Sequence, residues 1–357
     1  MSVYRRYLMR EVAAAILLVF AGFLALFGFF DMLGEIRNVG EGGYQFRHAL
    51  MFVILRLPGR IYELMPVAVL IGTLYSLSAL ARHSEITVFR ASGMSTARLL
   101  AVLFQVALLF GLLTFVIGEA VVPPSERAAQ SLRLRERGRT VGQDLRSGLW
   151  VKDEGSFINV RTVLPDNRLQ GIRIYTFDQK LHLQSITEAK EGQFRMPDGW
   201  MLTDVAQTTL YEDRSETVKQ PEMTWKSALN PDLLSVLMIA PDRMSVMHLI
   251  TYVRHLSENG QQTQRYEIAL WKKLIYPLAA LVMVALALPF GYTHNRLSNV
   301  SLKIFAGVMI GVFFHLLNGL FSNLGAINSW SPSLSAVAPS ALFLLAATAM
   351  IWWVERR

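Results

Sequence analysis

Six long apolar runs punctuate the chain, and they come in two groups of three. The first group runs from Val12 to about Phe30, from Ala49 through Pro58 and Pro66 to Ala81, and from Leu99 to about Val122. The second runs from about Ile268 to Phe290, from Leu302 to Leu324, and from Leu334 to Val354. Each has about the 20 residues a helix needs to cross a bilayer's hydrocarbon core. The first run is too long for the apolar part of a secretory signal and reads as a retained span. Proline removes a backbone donor, so a break is expected at Pro58, an end to the third span at Pro123-Pro124, where it leads into a polar helix over SERAAQSLRLRERGR, and a kink at Pro277.

Between the groups the period changes from helical to alternating. GLWVKD, SFINVRTV, LQGIRIYTFD, LHLQSITEA, GQFRM and GWMLTDVAQTTLY read as strands, with turns at Leu164-Pro165-Asp166-Asn167 and Pro197-Asp198-Gly199. Six to nine strands without intervening helices predict an antiparallel sandwich or jelly roll, with Ile172, Ile174 and Leu183 among its inward positions. Two short helices, near Asp232 to Met238 and Ser245 to Ser257, are expected to lead back to the membrane. The predicted fold is thus a polytopic α-helical membrane protein with six transmembrane helices and an inserted all-β, jelly-roll-like domain. Residues 1–122 hold spans one to three, 123–262 the β domain with its flanking helices, and 263–357 spans four to six.

Composition fits two solvents: 52% of the 357 residues are hydrophobic, yet 17% are charged. The net charge of +8 is explained by where Lys and Arg lie. Arg5, Arg6, Arg10, Arg82, Arg90, Arg98, Arg296, Lys303, Arg356 and Arg357 fall on one side of the predicted spans, and mainly Arg37 and Arg47 in short loops on the other. The positive-inside rule therefore puts both termini in the cytoplasm and the β domain outside. Nucleic acid is not needed as a partner. There are no cysteines, and the seven histidines show no metal-binding spacing. No phosphate-binding loop, nucleophile elbow or zinc-protease motif occurs, so neither a catalytic residue nor a metal site is assigned.

One short polar stretch stands out, RHSEITVFRASGMSTAR at 82–98, strung between spans two and three. It predicts a helix of about two and a half turns over about 83–95, capped by Ser84, carrying Glu85 in its first turn and closed by Gly93. Ser95 or Thr96 would cap the helix that follows. Glu85, Val88, Phe89 and Ser92 share one helical face, an acid on an apolar patch suited to a partner's groove. An interfacial loop with snorkelling arginines fits the same spacing.

Two further groups invite a role. Arg37, Arg47, Arg56 and Arg60 are candidates for a basic belt at the outer membrane surface that holds anionic headgroups, although Arg60 and Glu63 are also spaced to pair at i, i+3. In the fifth span Gly307, Gly311, His315 and Gly319 recur every four residues with Asn318 beside them, which suits either tight packing or the lining of a cavity or gate. Phe27 and Phe30 at the end of the first span offer an apolar surface to lipid.

The blocks ELMPVAVLIGTLYSLSALARHSEITVFRASGMS at 63–95, GEAVVPPSERAA at 118–129, SGLWVKDEGSFINV at 147–160 and RYEIALWKKLIYPL at 265–278 resemble the LptF/LptG (YjgP/YjgQ) permeases of the lipopolysaccharide export transporter. GLWVKD and GEAVVPP are more similar to the LptG branch. The resemblance implies an inner-membrane, multi-pass ABC-transporter permease with a periplasmic β domain. It would form a heterodimer with an LptF-type permease, sit on an LptB-type ATPase homodimer, and work with an LptC-type bitopic protein, with lipopolysaccharide as cargo. No cofactor is implied for this chain, because ATP and magnesium belong to the partner ATPase. The resemblance also implies that Glu85, with Val88, Phe89, Arg90, Ser92 and Gly93, docks the ATPase, and that spans one and five form lateral gates. A mechanotransmitting membrane protein or a scaffold with an external β domain, neither carrying lipid itself, fits the same pattern of spans.

Overall fold

The computed structural model describes residues 3–137, 148–153, 155–164, 168–178, 180, 182–195, 199–211, 213–227, 240–292 and 300–356. The helix expected near Asp232 to Met238, the centres of both predicted turns and most of the GYTHNRLSN connection lie outside those residues.

Among the described residues, six helical stretches are long and apolar enough to cross a membrane. They are α1 (Val3–Ile36), α2 (Phe46–Arg82), the stretch begun by α4 (Thr96–Val116), α7 (Gln264–Tyr292), α8 (Val300–Ile327) and α9 (Pro332–Glu355). The short α3 (Glu85–Ala91) joins α2 to α4. Helix α2 is the centre of the bundle: most of its apolar window is buried, while α1 and α8 leave most of theirs open. Its Val69, Leu70, Leu74 and Leu77 share one core with Leu8, Val12 and Ile16 of α1, Leu103 and Val106 of α4, and Met283 and Val284 of α7.

Close approach is bought with glycine. A Cβ at Gly72 would fall 2.5 Å from the Ile16 Cα, and one at Gly111 would fall 2.6 Å from the Pro277 carbonyl oxygen. Gly307 and Gly311 of α8 lie equally tight against Leu74 and Val67 of α2. In the absence of a hydrophobic force between lipid-solvated helices, such contacts supply the dispersion that holds them.

Two sequence expectations change. Helix α2 runs through Pro58 without a break, because in an apolar setting a broken helix would strand more backbone groups than the single donor that proline removes. Helix α1 continues past the expected end near Phe30 to Ile36, since Asp31 and Glu35 are held by Arg60 and Arg133 and do not turn to solvent. The third span passes into the predicted polar helix without a break: it widens into a π turn (Ile117–Val121), in which the Val122 N–H bonds the Ile117 carbonyl, and continues as α5 (Val122–Arg137).

The inserted β domain is a six-stranded antiparallel sheet in simple sequence order: β1 (Leu149–Asp153), β2 (Ser156–Val163), β3 (Leu169–Phe177), β4 (Leu183–Arg195), β5 (Gly199–Leu210) and β6 (Ser215–Trp225). The described strands thus form a meander rather than two facing sheets. A line of residues outside the pairing crosses it, Arg161, Gly171, Lys190, Asp204 and Pro221. Gly171 and Asp204 adopt positive φ, +64° and +56°, and Pro221 sits where no ladder donor is needed. The register does not shift across this line, yet the in–out alternation reverses there. Accordingly β2 buries Ile158 and Val160 and then Val163, β3 Leu169 and then Ile172 and Ile174, and β5 Trp200 and Leu202 and then Val205, all in one core. Leu183 is half-buried at the start of β4. Helix α6 (Val246–Glu258) and the 3₁₀ turn Pro241–Arg243 before it lead back to α7.

Candidate coupling segment and polar cavity

Helix α3 lies at the end of the bundle away from the β domain. It is two turns long, and Ser84 does not cap it: Ser84 itself takes the left-handed conformation, φ 61°, that lets the chain turn sharply out of α2. At the other end Gly93 has φ +89°, and Ser95 caps α4 by accepting the Arg98 N–H at 3.3 Å. Ile86 is buried and pins the helix to the bundle. Glu85 lines a cavity together with Tyr7 of α1, and the Phe89 ring lies 6.4 Å from that of Tyr4. Val88 is exposed, as are Arg90, Ser92 and Gly93. The acid and Phe89 therefore face α1 at the same time as Val88 faces outward.

At the β-domain end, the four belt arginines divide. Arg37 and Arg47 are exposed and make no ion pair among the described residues. Arg60 is engaged from two sides, by Asp31 of α1 at 2.6 and 2.8 Å and by Glu63 at 2.9 Å, with its guanidinium 5.6 Å from the Phe27 ring. Arg56 lies 3.8 Å from Glu126 and shares the face of Phe52 with Arg133. Arg243 completes the chain of charges, donating to Glu63 at 3.0 Å and Glu126 at 2.7 Å. Burial alone would weaken its hold on the proton, but the two carboxylates outweigh this and raise its pKa. One ionic network thereby ties α1, α2, α5 and the 3₁₀ turn together.

Beside it lies a cavity of about 290 Å³ lined by Tyr62, Glu63, Arg243, Lys272, Lys273, Tyr276, His315, Asn318 and Gly319. The α8 stripe therefore splits: Gly307 and Gly311 pack on α2, whereas His315, Asn318 and Gly319 border this cavity. Phe30 is exposed at the end of α1, its ring 5.9 Å from that of Phe29.

Residues 6–354 match the family model described as lipopolysaccharide export system permease LptF/LptG. The chain belongs to the LptF/LptG family. Among its relatives, the lipopolysaccharide export system permease protein LptG of Haemophilus influenzae is 29% identical over 353 residues, 99% of this chain and 98% of that protein. The LptG of Escherichia coli K12 is 30% identical over 358 residues, covering 100% and 99% of the two chains. The LptF/LptG architecture of spans around an inserted β domain is the architecture found here.

Sequence reasoning about this LptF/LptG chain missed Glu119, Glu126, Arg243 and Lys273, which join elements far apart in sequence. A faint signal was present in Glu119 and Lys273, charges placed within or beside otherwise apolar runs. Nothing local marked Arg243.

Proposed function

We propose that this chain is a permease subunit that extracts lipopolysaccharide from the outer leaflet of the inner membrane and passes it through its β domain, with both termini in the cytoplasm and the β domain in the periplasm. It is not itself the enzyme: a separate LptB-type ATPase dimer supplies the work, an LptF-type permease completes the membrane cavity, and an LptC-type protein receives the cargo. The observation that carries this reading is the family match across almost the whole chain, on a fold whose short helix α3 lies against α1.

In this mechanism ATP-driven closure of the partner moves α3. Ile86 transmits that motion into the core, and Glu85 with Phe89 passes it to α1. Helices α1 and α8, whose apolar faces are open, are the gate walls, with Phe27 and Phe30 facing acyl chains. Exposed Arg37 and Arg47 are better placed than Arg60 to meet headgroup phosphates, because Arg60 would first have to leave Asp31 and Glu63.

The deciding experiment is ATP-dependent release of lipopolysaccharide from liposomes by the assembled complex, comparing the unsubstituted chain with Glu85→Ala. Release lost while the complex still hydrolyses ATP, or loss of ATPase binding, supports the assignment. Unchanged release removes Glu85 from the coupling path.

A further inference from the structure

We propose that Lys273 is the positioning residue that fixes both stalks of the β domain, the outgoing π turn with α5 and the returning α6, to helix α7 of the bundle. The inference is independent of the cargo.

The need for it begins with Pro123. In the π turn, Val122 bonds the Ile117 carbonyl, so the Gly118 carbonyl would look to residue 123 for its donor, and proline has none. The Lys273 ammonium supplies it, at 2.8 Å. The same ammonium donates to the carbonyl of Met244, the residue before the Ser245 cap of α6, and lies 3.5 Å from Glu119. Glu119 in turn accepts the Val246 N–H with both carboxylate oxygens, at 2.8 and 3.0 Å, on the first turn of α6. There an otherwise unpaired donor and the positive end of the helix favour a carboxylate.

Lys273 is 3% exposed. Its surroundings are shaped to admit it: Tyr62 and Tyr276 stack at 4.6 Å, the Tyr62 ring lies 6.0 Å from the ammonium, and a Cβ at Gly118 would strike that ring at 2.5 Å. Removing the ammonium leaves two carbonyls and a carboxylate without their shared cation, where both stalks meet α7. The returning α6 also packs on α7 through Leu249, Tyr252 and Leu256 against Ala269 and Leu270; Lys273 adds to that packing the polar tie that also holds the outgoing stalk.

The chain has no cysteine, so spin labels can be placed at Lys219→Cys on β6 and Asn328→Cys after α8, both exposed positions. The full-length chain in lipid nanodiscs should give one narrow distance distribution by pulsed electron paramagnetic resonance. Lys273→Met should at least double its width, and Lys273→Arg should keep it narrow. Pro123→Ala returns an N–H within reach of the Gly118 carbonyl, so adding it to Lys273→Met should recover more than half of the lost order. A folded Lys273→Met chain with the original width overturns the proposal, as does broadening that neither Arg nor Pro123→Ala relieves. Should Lys273→Met fail to fold, Glu119→Gln serves instead: an intermediate width supports the proposal and an unchanged width overturns it.

Discussion

Arg243 donates to Glu126 at 2.7 Å, where the carboxylate is only 4% exposed. Cutting one partner of such a pair is costlier than removing both, because a buried charge is left alone. Arg243→Ala should therefore destabilise the chain by about 3 kcal/mol, read as a drop of several degrees in the unfolding midpoint in detergent. Glu126→Gln in the same chain should return part of the loss. Equal midpoints for the single and double variants would show that the pair is not coupled.

The crossing of α1 and α2 rests on Gly72. With Ile16 backbone where a Cβ would stand, Gly72→Leu must push the helices apart, and overpacking of this kind costs about 1–3 kcal/mol. Disulfide trapping between cysteines introduced on α1 and α2 should slow markedly. Gly319→Ala, at a position with open space, should leave its surroundings unmoved.

Val88 presents an apolar side chain to solvent, 64% exposed. Val88→Asp should shift the stability of the isolated chain by less than about 0.5 kcal/mol. It should nevertheless abolish co-purification of the LptB-type ATPase proposed above. Retained co-purification would assign the docking surface to other residues of α3.

Gly171 and Asp204 share a left-handed backbone but not a residue type. Gly171→Ala would be strained, and its Cβ would also meet the Arg161 side chain at 2.9 Å. It should lower the stability of the β domain by roughly 1–2 kcal/mol. Asp204→Gly relieves the same strain and should be neutral or stabilising. Thermal melts of the full-length chain, followed by β-sheet circular dichroism, should separate the two in opposite directions.

Helix count, the inserted β region and the segment at 82–98 were legible because each follows from local periodicity: long apolar runs, alternation, and a charged interruption between two spans. Proline was misread at Pro58, where the missing donor is visible in sequence but the tertiary context that keeps the chain helical is not. Ser84 has the composition of a cap, yet the turn it must make places it in a left-handed conformation with no cap bond. The ionic network was illegible because its members are separated by up to 180 residues, as Glu63 and Arg243 are. The stripe at Gly307, Gly311, His315 and Gly319 left packing and cavity lining open, and the structure divides it between them.

The transverse line through Arg161, Gly171, Lys190, Asp204 and Pro221 makes the six strands one unit in length. Pairing keeps a single register on both sides of it while the buried positions change phase, so a residue added to or removed from one strand at this line would turn half of that strand away from the core. A change of length in any one strand has to be matched in its neighbours.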